Sequence, residues 1–529
     1  MLTRIRLIAV IVLCLVSFGC ASSAATANTD APAQPSFDTA ALDSFITQMM
    51  EDYNVPGVGL AIVEDGKVSY TKGYGVRDVE TGETVTSDTE FPIGSTTKSF
   101  TALDMMILVD EGSVDLDAPV TTYIPEFELS NPDDTDLVTV RHLLSHTTGL
   151  VRTDASTFDL NVTAEDVIEA VATTELAGKP GEVFIYSNVN TIVAGEIIER
   201  VSGQSWEDFT RERVLEPLGM DTATLSIDEL KQHDDIATPS ILNVREGSLE
   251  NTDFLALGAD VPAGAINASA EDMARYILFQ LGDGAPLISQ ASLDEMHAPQ
   301  IDAPGFNILG IAAEQARAAA DNLDDVPPSL IPEEQYGFYW GIDTFLDEKL
   351  VQHGGNVIGA TANVTLLPEQ DSGVVILANA DSANFFMEAV RLHVAEVLLG
   401  QTEPDVNAVI QAQLEVVGQD NASRNADLEA VRTYQADADE LDALTGTYES
   451  LADPEPTQVS LTDEGELKLE SGLQALRFSS VLLPIGNDRF IAADDILAGA
   501  VVRFVKGEEG RTIELESVTG AIPIASLED

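Results

Sequence analysis

The order of apolar and polar positions divides the chain before any chemistry is considered. Over Phe37 to Tyr53, Leu42, Phe45, Ile46, Met49 and Tyr53 recur at helical spacing, and Pro56 ends the run. The period then drops from 3.6 to 2. GVGLAIVEDGKVSYTKGYG reads as two strands joined at Asp65-Gly66, a strong hairpin signal. From Ser95 to about Leu281 the periods are mainly helical, as in Val167 to Thr173 and Thr191 to Val201, between Pro/Gly-punctuated connections. Strand-like runs return in KLVQHG, ATANVTLLP and GVVILAN, and a helix from Asn384 to Leu399 stops at Gly400. Strands from both ends thus flank a helical middle, which predicts an α+β fold whose antiparallel sheet is assembled from distant segments. Residues 401–440 are acidic, Ala-rich and helix-prone, and read as a connector. From Leu441 the texture becomes short alternating strands with turns at Asp463-Glu464-Gly465, Gly486-Asn487-Asp488 and Lys506 to Gly510, which predicts a small barrel-like β domain over 441–529.

Composition narrows the partners. A chain of 529 residues, 44% hydrophobic, is long enough to bury a large core in more than one domain. Its formal charge of -64, from 90 Asp and Glu against 26 Lys and Arg, repels phosphate backbones and anionic headgroups, so nucleic acid is excluded as an expected partner. The acidic residues are spread throughout, a pattern suited to high salt, where screening weakens self-repulsion, and it points to a halophilic or marine source.

The first 27 residues read as a secretory signal: Arg4 and Arg6, an apolar run from Leu7 to Phe18 too short to favour a membrane span, then small residues. Cleavage is expected after Ala25-Thr26-Ala27, or before Cys20 if Gly19-Cys20 ends a lipoprotein box, from whose usual residues Ser17 and Phe18 depart. The expected location is the periplasm or cell envelope, with lipid anchoring at Cys20 as the one expected membrane attachment. Residues 28–36 form a linker. Cys14 and Cys20 are the two cysteines of the chain, so the expected mature protein has no disulfide.

Candidate chemistry centres on FPIGSTTKSFTALDMMILVDEG, Phe91 to Gly112. Ser95 and Lys98 are three apart at the start of a helical face continued by Phe100, Leu103, Met106 and Ile107, so their side chains are neighbours and the amine reaches the hydroxyl. The helix dipole and burial both favour the neutral amine that a general base needs. The alternative is that Ser95 only caps the helix and Lys98 is solvated. A SxxK match is weak alone, since about one or two are expected by chance in a chain of this length. Ser69 and Lys72 are such a match, but in a strand, where positions three apart face opposite ways. Two further stretches matter: Tyr186-Ser187-Asn188, whose first and third residues project alike if extended, and His353-Gly354-Gly355-Asn356, read as lying between strands, where glycines admit a substrate close to the backbone. His146 reads as a structural loop residue. The six histidines lack ligand spacing, so no metal or other cofactor is expected, and no GxSxG elbow is present.

SxxK, then YxN, then a third triad, in that order, resemble the serine β-lactamase and penicillin-recognising enzymes, closest to their class C-like branch of DD-peptidases, D-amino-acid peptidases and esterases. His142 to Leu150, Pro262 to Tyr276 and Tyr336 to Gly341 resemble that branch too, and the likeness spans Phe37 to Gly400. It implies a β-lactamase/transpeptidase-like fold, an antiparallel sheet flanked by helices with an all-helical subdomain, here followed by a domain similar to a lipocalin-like barrel. It also implies that Ser95 is acylated, that Lys98 takes its proton, that Tyr186 shares the base role or protonates the leaving group, and that Asn188 orients Lys98 and a substrate carbonyl. The backbone N–H groups of Ser95 and Asn356 would form the oxyanion hole, in a strand edge that includes Gly354 and Gly355, where such donors are worth about 3 kcal/mol each.

Where penicillin-binding members carry Lys and Thr in the third triad, this chain has His353 and Gly354. An imidazole only partly charged near neutral pH replaces a permanent cation. The expected activity is therefore that of an exported serine hydrolase acting on a small ester, a peptide or a peptidoglycan-like substrate, of esterase or D-amino-acid/DD-peptidase type. A weak β-lactamase, or a penicillin-binding sensor without turnover, is the alternative.

Overall fold

The first helix begins two residues later than its apolar period, at Thr39–Tyr53, because Asp38 caps it, accepting from the amides of Ala40 and Ala41 at 3.0 and 3.2 Å. The computed structural model describes residues 35–153, 157, 160–282, 287–304, 306, 334–381, 383–400, 426–450, 456–473, 476–493, 500–506, 510–517 and 520–528. The leader with Cys14 and Cys20, much of the 401–440 connector and the middle of the turn from Lys506 to Gly510 lie outside the described residues.

The hairpin forms as its sequence dictates. Strands Gly57–Glu64 and Lys67–Gly75 meet at Asp65 and Gly66, both with positive φ (50° and 66°), the two-residue turn that matches strand twist. They open an eight-stranded sheet in the order Lys67–Gly75, Gly57–Glu64, Ser372–Ala378, Ala360–Leu367, Glu348–Val357, Gly341–Phe345, Gln335–Tyr336, Ile301–Asp302. The sheet is covered on both faces. Val58, Leu60 and Ile62 pack with Leu42 and Ile46 of the first helix and Phe386 and Val390 of the helix Asn384–Leu398, while Ala61 and Val63 face the helical middle. The antiparallel α+β sheet assembled from both ends is thus the observed architecture.

One strand differs from its reading. His353-Gly354-Gly355-Asn356 is not a break between strands but part of Glu348–Val357, paired in register with Val364, Asn363, Ala362 and Thr361. The ladder continues through both glycines, and at Gly355 it is the close approach of a neighbouring turn, not a bend, that requires the missing side chain.

The helix Thr97–Asp110 runs through the middle of the molecule, buried from Thr97 to Leu108. Several of its inward polar groups are paired: Thr101 Oγ1 donates to Pro262 O at 2.7 Å and accepts from Trp206 Nε1 at 3.0 Å, and Tyr276 Oη meets Ser99 Oγ at 2.8 Å.

Beyond the connector, eight strands from Gly446–Ser450 to Gly520–Glu528 close into a barrel whose interior is filled by Tyr448, Leu467, Leu482, Phe490, Phe504 and their neighbours. The chain from Ala33 to Asp529 is one compact unit. The barrel is joined to the hairpin Ser240–Asn243/Ser248–Asn251: fully buried Val244 packs with Leu428, Leu483, Ile485 and Ile491, and Arg245 forks onto Glu466 with two bonds of 2.9 Å.

Candidate active site

Ser95 sits in a 3-10 turn, Gly94–Thr96, that leads into the helix Thr97–Asp110. The cap position of that helix is Thr96, not Ser95. Lys98 Nζ instead lies 3.0 Å from Ser95 Oγ and donates to Ala263 O at 3.1 Å, with the lysine side chain fully buried. Ala263 belongs to the PAGAINAS stretch, so the amine is held between its own helix and that segment. The control pair behaves as its strand demands: Ser69 Oγ donates to Ile62 O, and Lys72 pairs with Asp43.

Tyr186 and Asn188 project together because Ser187 between them is extended (φ -152°, ψ 134°) and caps the helix Asn188–Ser202 that starts with Asn188. Lys98 Nζ lies 5.0 Å from the centre of the Tyr186 ring, and the Arg152 guanidinium 5.6 Å from it. Serine and lysine, from one turn and helix, therefore meet the tyrosine from a second, distant segment of chain.

The strand Glu348–Val357 forms the opposite wall. At Gly94, with φ of 50°, a Cβ would lie 2.8 Å from Asn356 N; at Gly355 it would lie 1.9 Å from Ile93 O and 3.0 Å from Ser95 N. Two glycines let the strand and the serine turn touch backbone to backbone, which brings the amides of Ser95 and Asn356 to the same rim. Gly354 is different: a Cβ there would find its nearest atoms at 3.8 and 3.9 Å. Gly355 thus serves contact between parts of the protein, where the sequence suggested substrate approach.

His353 is buried, with both ring nitrogens engaged. Nδ1 is 2.6 Å from Gly354 O, which can only accept, so Nδ1 carries the proton; Nε2 then accepts from Tyr336 Oη at 3.1 Å. Burial, and after it the nearby Lys98 charge, pulls the imidazole down to about 3. The partial charge expected of it near neutral pH is thus disfavoured by burial, which the sequence alone did not reveal.

Ser95, Tyr186, Asn188, His353, Gly354 and Asn356 all line one cleft of about 340 Å³, with Lys98 beneath Ser95 and Gly355 behind the rim. Sequence reasoning missed several of its walls: Arg152, Phe306, Gln352, Asn363 and Glu388. Arg152 follows the HTTGL loop directly, the nearest thing to a signal; the others come into reach only through sheet pairing and the packing of Asn384–Leu398. Glu388 is not a free anion, since Arg391 binds both its oxygens deep in the interior. Among the described residues no group of His, Cys, Asp and Glu is arranged to hold a metal ion.

The chain is similar to several known proteins. Protein flp of Staphylococcus aureus (strain MW2) is 28% identical over 351 residues, covering 64% of this chain and 63% of its own length. The unguisins hydrolase ungD' of Aspergillus campestris is 27% identical over 362 residues, covering 66% and 64%. The chain thus spans just under two thirds of each relative. Among solved structures, the octameric penicillin-binding protein homologue from Pyrococcus abyssi superposes with a TM-score of 0.60 at 26% identity, over 93% of this chain and 100% of that one. A class C β-lactamase shares the fold, with a TM-score of 0.54 at 20% identity over 69% of this chain and 96% of its own. With the family model named Beta-lactamase matching residues 42–399, the stretch that holds the serine, the lysine, the tyrosine and the strand edge, this chain belongs to the Beta-lactamase family.

Proposed function

We propose that the protein is a serine hydrolase that cleaves ester or amide bonds through an acyl-enzyme. One observation carries the reading: the buried Lys98 amine lies 3.0 Å from the Ser95 hydroxyl at the foot of a cleft, under the ring of Tyr186. In acylation Ser95 Oγ bonds to the substrate carbonyl carbon while its proton passes to Lys98 or Tyr186. The tetrahedral oxyanion is received by the Ser95 and Asn356 amides, and the leaving group departs with the proton. Water then repeats the sequence on the acyl-serine and frees the acid. Asn188, at the cleft wall, orients the substrate carbonyl.

The substrate reading follows from the third triad. A carboxylate at the strand edge meets a neutral imidazole whose two nitrogens are already bonded, so it finds neither charge nor donor there. Side-chain amides line the strand side, Gln352, Asn356 and Asn363, while a cation of the cleft, Arg152, stands beside Tyr186. This favours an esterase, or a peptidase of D-amino-acid or small peptide substrates, over an efficient β-lactamase. The leader and the acidic surface support an exported enzyme of a saline environment.

Turnover of p-nitrophenyl butyrate and D-Ala-p-nitroanilide, each against Ser95→Ala, with intact-mass mapping of a fluorophosphonate adduct, tests this. The expected result is an adduct on Ser95 and turnover lost in the variant. An adduct elsewhere, or Ser95→Ala at the wild-type rate, refutes it.

A further inference from the structure

His146 is a buried histidine that the chemistry above does not use. Its backbone is left-handed, with φ of 54°, and its own amide is tied to Leu143 O at 3.2 Å. Three contacts run from it to the segment that carries Tyr186. The amide of Ile185, one residue before, donates to His146 O at 2.9 Å. The amide of Ser187, one residue after, donates to His146 Nδ1 at 3.4 Å. Between them the Tyr186 ring packs on the imidazole, with centroids 4.5 Å apart. The residue between two tethers thus also packs, with rings tilted at 46°, on the group that tethers it.

The imidazole's protonation is set from outside. Thr148 Oγ1 donates to Asn190 Oδ1 at 2.8 Å, which turns the Asn190 Nδ2 toward His146 Nδ1 at 3.2 Å. With two donors aimed at Nδ1, that nitrogen is the acceptor and Nε2 carries the proton. Nε2 is buried without a hydrogen-bonding partner, boxed by the rings of Tyr336 and Tyr339 at 5.4 and 5.0 Å. Burial, then the charge of Lys98, keeps the ring neutral. The imidazole is therefore not poised to carry protons itself. Around it, residues 179–187 have no regular helix or strand to fix the tyrosine.

We infer that His146 is the positioning residue for Tyr186, an acceptor and packing partner that holds the phenol ring over Lys98. The inference rests on the proposed role of Tyr186 as proton carrier. Misplacing a catalytic group by about 1 Å costs on the order of 100-fold in rate. His146→Phe keeps a ring but removes the acceptor, whereas His146→Asn places an oxygen near the Nδ1 position and keeps the acceptor.

The test is a double-mutant cycle on p-nitrophenyl butyrate hydrolysis, with melting temperatures recorded for each variant. His146→Phe is expected to lower kcat by about 30- to 100-fold with KM within about threefold, and His146→Asn to recover most of that loss. In the Tyr186→Phe background His146→Phe is expected to add no more than about twofold, since the two act through one group. Losses that multiply, or His146→Phe within threefold of wild type, overturn the inference. Tyr186→Phe at the wild-type rate instead overturns the proton-carrier role, and this inference with it. Should His146→Phe fail to fold, His146→Leu, which likewise removes the acceptor, takes its place in the cycle, and multiplying losses or a single-variant rate within threefold of wild type is again the refutation.

Discussion

Gly355→Ala tests the backbone contact that builds the site. The added methyl would stand 1.9 Å from Ile93 O and 3.0 Å from Ser95 N. A carbon rests against a carbonyl oxygen at about 3.3 Å, so strand and turn must part by roughly 1.4 Å along that line. The ladder to Ala360–Leu367 and the burial of Thr97–Asp110 hold the two sides, so the opening falls at the rim between the Ser95 and Asn356 amides. Oxyanion donors act over a window of only about 2.7–3.1 Å, so such a shift removes one of them, a loss of about 100- to 1,000-fold in kcat. Overpacking costs about 1–3 kcal/mol of stability, which a folded variant survives. The assay is steady-state hydrolysis of p-nitrophenyl butyrate, with the rate of fluorophosphonate labelling and the melting temperature alongside. Gly354→Ala is the comparison: its methyl finds nothing nearer than 3.8 Å, and its loss should stay under about tenfold, well below that for a lost donor. If folded Gly355→Ala keeps more than a third of wild-type kcat, the two amides are not the oxyanion hole or the rim yields freely, and the reasoning fails.

Lys98→Met should slow acylation at least about 100-fold, the contribution typical of a general base, measured as the rate of fluorophosphonate labelling; labelling at the wild-type rate would remove Lys98 from the mechanism. His353 and His297 are buried and held down to about 3 from 6.5, so the unfolded chain binds protons more readily than the folded one. Their contribution is complete above pH 6.5 and is lost as pH falls toward 3, by roughly 5 kcal/mol each at most, so urea midpoints should drop steeply over that window; a flat profile contradicts it. Glu90 has the opposite sign: burial raises it to about 7 from 4.5, so it costs stability as pH rises through that interval, and Glu90→Gln should flatten the rise in cost seen in melting temperature between pH 5 and 8. Val244→Asp puts a charge into the fully buried seam between hairpin and barrel and should destabilise the protein by about 3 kcal/mol or more, read from urea unfolding. The net charge of -64 predicts that melting temperature climbs between 0.1 and 2 M NaCl; a fall would argue against adaptation to salt.

Much of the architecture was legible because it rests on local rules. Asp65-Gly66 specifies a two-residue turn, Gly400 follows the end of the helix Asn384–Leu398, the first helix stops at left-handed Asn54 just ahead of Pro56, and the spacing of Ser95 and Lys98 makes them neighbours in any helix. The Tyr186/Asn188 pair was legible for the same reason, since one extended residue suffices to align them. The His353-Gly354-Gly355 stretch was misread as a gap because glycine weakens a strand in isolation, and only the facing turn of Gly94 and Ser95 shows that the missing side chain at Gly355 is what lets the strand stay.

The sequence by itself determined the elements, the α+β class and the order of the three motifs, because turns, caps and helical neighbours are settled within a few residues. The tertiary structure decided which groups share an environment: that His353 is sealed and neutral, that Arg152 and the Asn384–Leu398 helix wall the cleft, and that His146 braces Tyr186. Burial and hydrogen-bond partnership are set by segments hundreds of residues apart, and a charge state follows from them, so no local pattern encodes it.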